Sequence, residues 1–177
     1  MAFNIQPVLE NDKAMLKPLQ EKDFDEVYAA AADPLVWEQH PNKDRYKEEV
    51  FRTYFEGAMA SKGAFKIIDK QSGKVAGSTR FYDYNPTDNS IMIGYTFYAR
   101  EFWGKGLNMS VKKLMLDYIF QYVDKVIFQV GATNTRSQIA IGRVGAVKTG
   151  EEMINYYGEA PKFNFIYTIN KTDWKHE

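Results

Sequence analysis

A strand-like run, a turn holding two glycines and a helix-like run follow one another between residues 91 and 116. The first is Ile91-Met92-Ile93-Gly94-Tyr95-Thr96-Phe97-Tyr98, rich in the β-branched and aromatic residues that strands favour. The turn is Trp103-Gly104-Lys105-Gly106-Leu107-Asn108, and the Lys/Leu-rich stretch after it has helical spacing. Strand, glycine turn and helix start make an anion cradle. Glycine lets the backbone approach closely, and the unpaired first-turn N–H groups with the helix dipole favour a phosphate. Two familiar phosphate loops fail on spacing. Gly106 stands where a Walker loop needs Ser or Thr after Lys105, and Met109 where a dinucleotide fingerprint needs its third glycine.

Composition narrows the ligand's setting. With 177 residues the chain is long enough for one full core and too short for two ordinary domains, so residues 1–177 read as a single domain. Lys+Arg and Asp+Glu balance at 23 each, so no global field recruits nucleic acid or an anionic membrane. A charged ligand must be met by a local site. The start lacks the basic and apolar segments of a signal peptide, and no stretch reaches the roughly 20 apolar residues of a membrane span. There is no cysteine, hence no disulfide, thiolate metal site or cysteine nucleophile. These features suit a cytoplasmic protein. The two histidines, His40 and His176, have no metal-ligand spacing and read as surface residues; neither a metal nor a Ser-His-Asp triad is expected.

Read in order, residues 14–19 suggest a first strand with a proline suited to its end. Asp23 opens a helix with Phe24, Val27, Tyr28 and Ala31 on one face, ending near Asp33-Pro34. A second helix is expected from about Arg45, with Phe51, Tyr54, Phe55 and Ala58 at core spacing. Three strands in hairpin order follow, over residues 63–69, 74–82 and 90–98. The helix over 108–122 carries Val111, Leu114, Met115, Tyr118, Ile119 and Tyr122 on one stripe, with Lys112, Lys113 and Asp117 outside. Residues 126–130 read as a buried strand, 135–144 as a helix stopped by Gly145, and 147–157 and 163–169 as two tail strands. Helices inserted among mostly antiparallel strands, with one strand–helix–strand crossover, give an α+β fold with a mixed sheet.

The turn resembles the acetyl-CoA loop of the GNAT N-acetyltransferases, usually [Q/R]-x-x-G-x-[G/A]. Trp103 takes the first position, Gly106 the central glycine and Asn108 the final small residue. A W-G-x-G version is typical of the RimJ/RimL-like branch, the ribosomal-protein N-acetyltransferases. Downstream, Asn134-Thr135-Arg136-Ser137, then Ala140 and Gly145-Ala146, is similar to that branch's N-x-R-S-x-x-A-x-x-x-x-G-A segment. The two motifs lie in the right order, and the resemblance covers roughly residues 10–172.

The resemblance implies a GNAT acyltransferase fold, with helices on both faces of the sheet, and direct attack of an amine on the acetyl-CoA thioester. Backbone N–H groups of Gly104, Lys105, Gly106, Leu107 and Asn108 would line the pyrophosphate, Lys105 adding a cation and Trp103 packing beneath. The pantetheine arm would pair with the strand edge at Thr96, Phe97 and Tyr98, where a backbone N–H would also polarise the thioester carbonyl. Asn134 would reach the cofactor arm, although asparagine is also a preferred helix N-cap. Ser137 would hydrogen-bond the cofactor or protonate the thiolate. Ser137 and Tyr98 are the catalytic candidates, and no general base is assigned.

Departures from the family pattern fall on catalytic and acceptor positions. Ile141 replaces a tyrosine acid, Met92 a glutamate, and Met109-Ser110 a Thr-Glu pair. Glu101, Asp83, Tyr82, Tyr95 and Tyr98 remain as proton acceptors to be placed, acting directly or through water. The leading reading is an acetyl-CoA-dependent N-acetyltransferase acting on a protein N-terminus or a small amine, with a homodimer through the tail strands as a further expectation. The second is a catalytically silent acyl-CoA sensor or scaffold; the third, resting on G-x-G alone, is an unrelated nucleotide-binding protein.

Overall fold

A computed structural model describes residues 3–175; His176 lies outside them. The strands are β1 (Leu9–Glu10), β2 (Ala14–Pro18), β3 (Ala64–Asp69), β4 (Val75–Asn85), β5 (Ser90–Tyr98), β6 (Lys125–Gly131), β7 (Val147–Ile154) and β8 (Lys162–Asn170). The helices are α1 (Phe24–Ala31), α2 (Glu48–Ser61), α3 (Leu107–Ile119) and α4 (Thr135–Arg143). One mixed sheet runs β1-β2-β3-β4-β5-β6-β8-β7, with β5 and β6 as its parallel pair. This is the expected α+β architecture, with the short β1 added at one edge and β8 inserted between β6 and β7. Pro18 closes β2, where its missing N–H costs no ladder bond in the sheet interior.

Two apolar clusters cover opposite faces of the sheet. Alternating strand residues such as Leu16, Phe65, Phe81 and Ile93 meet Val111, Met115, Leu116 and Ile119 of α3. On the other face, Val27 and Ala31 of α1 and Phe51, Tyr54, Phe55 and Ala58 of α2 surround Trp37 and Phe97. The aromatic spacing in α2 is core, as the period required.

Three local expectations are corrected. α2 starts at Glu48 rather than Arg45, because Lys47 is extended and Arg45 is buried beneath the loop between β7 and β8 in a bidentate pair with Glu159. Tyr122 is exposed, since the helix ends at Ile119. Lys112 does not lie outside: it is buried on the stripe of Leu116 and Ile119, four and seven residues on.

Candidate active site

β5 and β6 pair only at Ser90–Lys125, Ile91–Val126 and Met92–Ile127. Beyond Met92 they part, so residues 93–98 of β5 present an open edge to the gap. Inside that stretch the β4–β5 register skips: Arg80 faces Gly94 and Ser78 faces Phe97. Two residues of β5, Tyr95 and Thr96, therefore oppose Thr79, a β-bulge with Tyr95 at φ 52°. A left-handed tyrosine persists only when its surroundings hold it. The Tyr54 hydroxyl donates to the Tyr95 carbonyl, the Arg80 guanidinium lies 3.7 Å from the Tyr95 ring centroid, and the Thr79 and Thr96 hydroxyls are 2.9 Å apart.

The chain then turns through Trp103 into α3. Gly104 and Gly106 have φ of 70° and 77°, the left-handed region that other residues enter only with strain, and Gly106 is the N-cap of α3. A Cβ at Gly106 would also meet Lys13 Nζ at 3.3 Å. The Trp103 indole N–H donates to the Tyr98 carbonyl at 2.9 Å, tying the end of β5 to the glycine turn. Its ring carries the Arg136 guanidinium 3.9 Å from the centroid.

Between this turn, the open edge of β5 and α4 lies a cavity of about 630 Å³. Among the expected cofactor residues, Thr96, Phe97, Tyr98, Trp103, Gly104, Gly106, Leu107, Asn108, Asn134 and Ser137 all line it. Lys105 does not; it is exposed. The cations on the wall are Lys112, Arg136 and Arg143 instead. A second, smaller cleft of about 60 Å³ lies next to it between β5 and β6. His40, Thr96, Lys112, Asn134 and Ser137 line both spaces and mark their junction. Among the described residues no Asp or Glu lines either one.

Asn134 is the N-cap of α4, and it also stands on the cavity wall. As N-cap of α4 its Oδ1 accepts the Ser137 backbone N–H at 3.2 Å, while the buried side chain borders both spaces. The Tyr98 hydroxyl is buried without a protein partner, and desolvation pushes its pKa well up, so it stays protonated as a neutral hydrogen-bonding group. Ile141 lines the inner cleft. Tyr82 is buried and donates to Gln129 at 3.2 Å, and burial raises its pKa well above the ordinary value. Burial also raises Tyr95. Glu101 is an exposed partner of Lys74, and Asp83 is exposed beyond the gap.

His40 is corrected from surface loop to site wall. It packs edge-on against Trp37, 4.8 Å between centroids, and lines both spaces. Desolvation, with Arg45 and Arg136 nearby, lowers its pKa to about 3, leaving a neutral imidazole at pH 7. Lys112 donates to Asn108 Oδ1 at 2.8 Å, and burial lowers its pKa to about 8. The signal for Lys112 was its spacing from Asn108, one turn earlier on the face that the glycine loop presents. His40 and Arg143 carried no comparable signal.

The wall fits a polyphosphate ligand with an amide-bearing arm: a helix N-terminus opened by glycine, three cations, and a strand edge that β6 leaves unpaired beyond Met92. The model of the acetyltransferase (GNAT) domain family matches residues 13–147. The chain belongs to the GNAT acetyltransferase family. Its fold is that of a GCN5-related N-acetyltransferase from Brucella melitensis, 20% identical with a TM-score of 0.82 over 96% of this chain and 80% of that one. A spermidine N-acetyltransferase from Vibrio cholerae, in complex with CoA and spermine, gives 15% identity and a TM-score of 0.69 over 92% and 98%. Mycobacterium smegmatis RimJ in complex with CoA-disulfide gives 18% and 0.69 over 89% and 81%. As a GNAT acetyltransferase the chain transfers an acetyl group to amines and uses an acyl-CoA. Among the described residues no cluster of side chains could hold a metal ion, and no helix is long and apolar enough to cross a membrane.

Proposed function

We propose that this GNAT protein is an acetyl-CoA-dependent N-acetyltransferase of the RimJ/RimL-like branch, a single unit over residues 1–177, acting on a protein N-terminus or a small primary amine. The observation that carries the reading is the pair of adjoining spaces: a long cationic cavity at the glycine turn and a cleft of about 60 Å³ beside it. The inner cleft is the smaller of the two spaces and would receive the acyl end of the ligand. The backbone at residues 104–108 with Arg136 and Arg143 would hold the phosphates. The edge at Thr96, Phe97 and Tyr98 would hold the arm, and acetyl-CoA supplies the activated acyl group.

The chain's own groups then have separable tasks. A backbone N–H of the bulged segment of β5 points its dipole at developing carbonyl charge, a preorganised contribution commonly worth about 3 kcal/mol. Tyr98 and Ser137 are the hydroxyls that can donate toward a departing thiolate. With no carboxylate on the wall among the described residues, the acceptor's proton would leave to water, and His40, with its pKa lowered to about 3, would serve at the junction as a neutral hydrogen-bonding group rather than as the base. The spermidine enzyme and RimJ share the fold with this chain and leave the two acceptor classes equally weighted. A homodimer through the tail strands would cover Val147, Met153 and Phe163, which are exposed.

The test is release of free CoA thiol from acetyl-CoA with spermidine and with short peptides bearing free N-termini. Turnover dependent on the amine supports the enzyme. Saturable acetyl-CoA binding without turnover on any amine favours the second reading, an acyl-CoA sensor or scaffold, which Ile141 on the cleft wall and the absence of a carboxylate base make specific.

A further inference from the structure

Lys112 is the lysine that lines the acyl-CoA cavity and the inner cleft among the described residues. It is buried, on the second turn of α3, and its ammonium has one hydrogen bond, to the neutral Asn108 Oδ1 at 2.8 Å. No carboxylate faces it from either space. Among the described residues the other charged and titratable groups lining the two spaces are His40 and Arg45 from the segment before α2, Tyr95 and Tyr98 from β5, Arg136 and Arg143 from α4 and Tyr156 after β7. Isolated burial of an ammonium is unfavourable and confers no stability on the fold.

The two spaces meet where Lys112 stands. A ligand whose arm occupies the long cavity and whose acetyl end enters the inner cleft must bring its thioester through that junction. We propose that Lys112 is a self-acetylation site: bound acetyl-CoA acetylates the chain's own amine when no acceptor is present. This rests on the acetyl-CoA reading above. In the step, the Lys112 Nζ lone pair attacks the thioester carbonyl carbon. A C–N bond forms, the C–S bond breaks with its electron pair leaving on sulfur, and the amine proton passes to the thiolate or to solvent. The products are Nε-acetyl-lysine and CoA thiol, with no further reactant. The lowered pKa of about 8 helps. About a tenth of such side chains are unprotonated at pH 7, against roughly one in three thousand for an ordinary lysine. The amide product has no charge and occupies the junction, so the modified chain should accept acetyl-CoA less well.

The experiment incubates the full chain with acetyl-CoA without amine, then measures intact mass and maps acetyl-lysines by peptide mass spectrometry. The expected result is a gain of one acetyl group on Lys112, at a rate at least about tenfold above the mean of the other lysines, a small part of what holding two reactants together provides. That preference should vanish in the heat-denatured chain, and Lys112→Met should lose the modification while keeping its melting transition. A melting shift with acetyl-CoA, measured in parallel, separates the two claims. A shift with Lys112 unmodified, or with acetyl groups spread over surface lysines, overturns self-acetylation alone. No shift overturns the acetyl-CoA reading and self-acetylation with it.

Discussion

Replacing Glu159 by Gln tests how the wall of the inner cleft is held. Arg45 Nε donates to Glu159 Oε1 at 2.9 Å and Nη2 to Oε2 at 3.0 Å, with the two side chains only 3% and 8% exposed. Around the guanidinium stand Trp37, Tyr54, Tyr95 and Tyr156, with centroids at 5.5, 5.4, 6.0 and 5.6 Å. Glutamine keeps the shape and one acceptor but removes the charge, leaving a buried cation. Breaking such a pair from one side costs about 3–5 kcal/mol. The four rings keep part of the cation's stabilisation, at about 0.5–2 kcal/mol for a well-placed face. The net expectation is a loss of about 3 kcal/mol. In a domain of this size that is a fall in melting temperature of roughly 6–12 °C. Differential scanning calorimetry of Glu159→Gln, Arg45→Met and the double variant provides the test. The double variant should recover stability relative to the sum of the singles, because it removes the stranded charge. A fall under about 2 °C, or a double variant as unstable as the sum, would refute the claim that the pair acts as a desolvated unit. The loop between β7 and β8 bears on α2 as well, through Tyr157 against Gly57. Its loosening should lower turnover more than acetyl-CoA affinity.

Three further outcomes follow from the same geometry. Gly106→Ala forces a side chain into φ 77° at the start of α3 and should destabilise the fold by about 1–2 kcal/mol while weakening acetyl-CoA binding at least tenfold; unchanged affinity by calorimetry would remove the loop from the cofactor site. Lys112→Met should raise stability at pH 7 by about 1–3 kcal/mol, since the native state prefers this group neutral and the burden on its charged form is present below pH 8 and relieved toward 10.5; urea titration showing a loss would contradict its isolation. The His40 pKa falls from 6.5 to about 3 on folding, so below pH 6.5 the unfolded chain binds a proton that the native chain does not. Stability should therefore decline as pH falls from 6.5 toward 3, and a His40→Asn variant should show a shallower decline over that window.

The parts of the fold governed by local pattern were legible in the sequence. β5 spans Ser90–Tyr98 as expected, because its turn residues and β-branched run define both ends. The α4 helix and the glycine turn were likewise set by short-range chemistry at Asn134, Gly104 and Gly106. What escaped depends on long-range partners. Arg45 reads as an ordinary helix-start residue until Glu159, 114 residues away, is brought against it. His40 reads as a loop residue until Trp37 and the β5–β6 gap surround it. Lys112 was misplaced because a lysine on a helix is assigned outward by default, although Leu116 and Ile119 at four and seven residues showed the buried stripe. The β8 strand enters the sheet between β6 and β7, an order that alternation along a strand cannot encode.

The central claim is that the adjoining cavity and cleft form an acetyl-CoA site, and a thermal-shift titration with acetyl-CoA, using ATP and NAD as controls, tests it most directly. Ligand at 100 times its dissociation constant stabilises the native state by about 2.7 kcal/mol, a rise of roughly 5–10 °C for a chain this long. A selective rise of that size with acetyl-CoA is the predicted result. No shift at millimolar acetyl-CoA, or an equal shift with ATP or NAD, would contradict it.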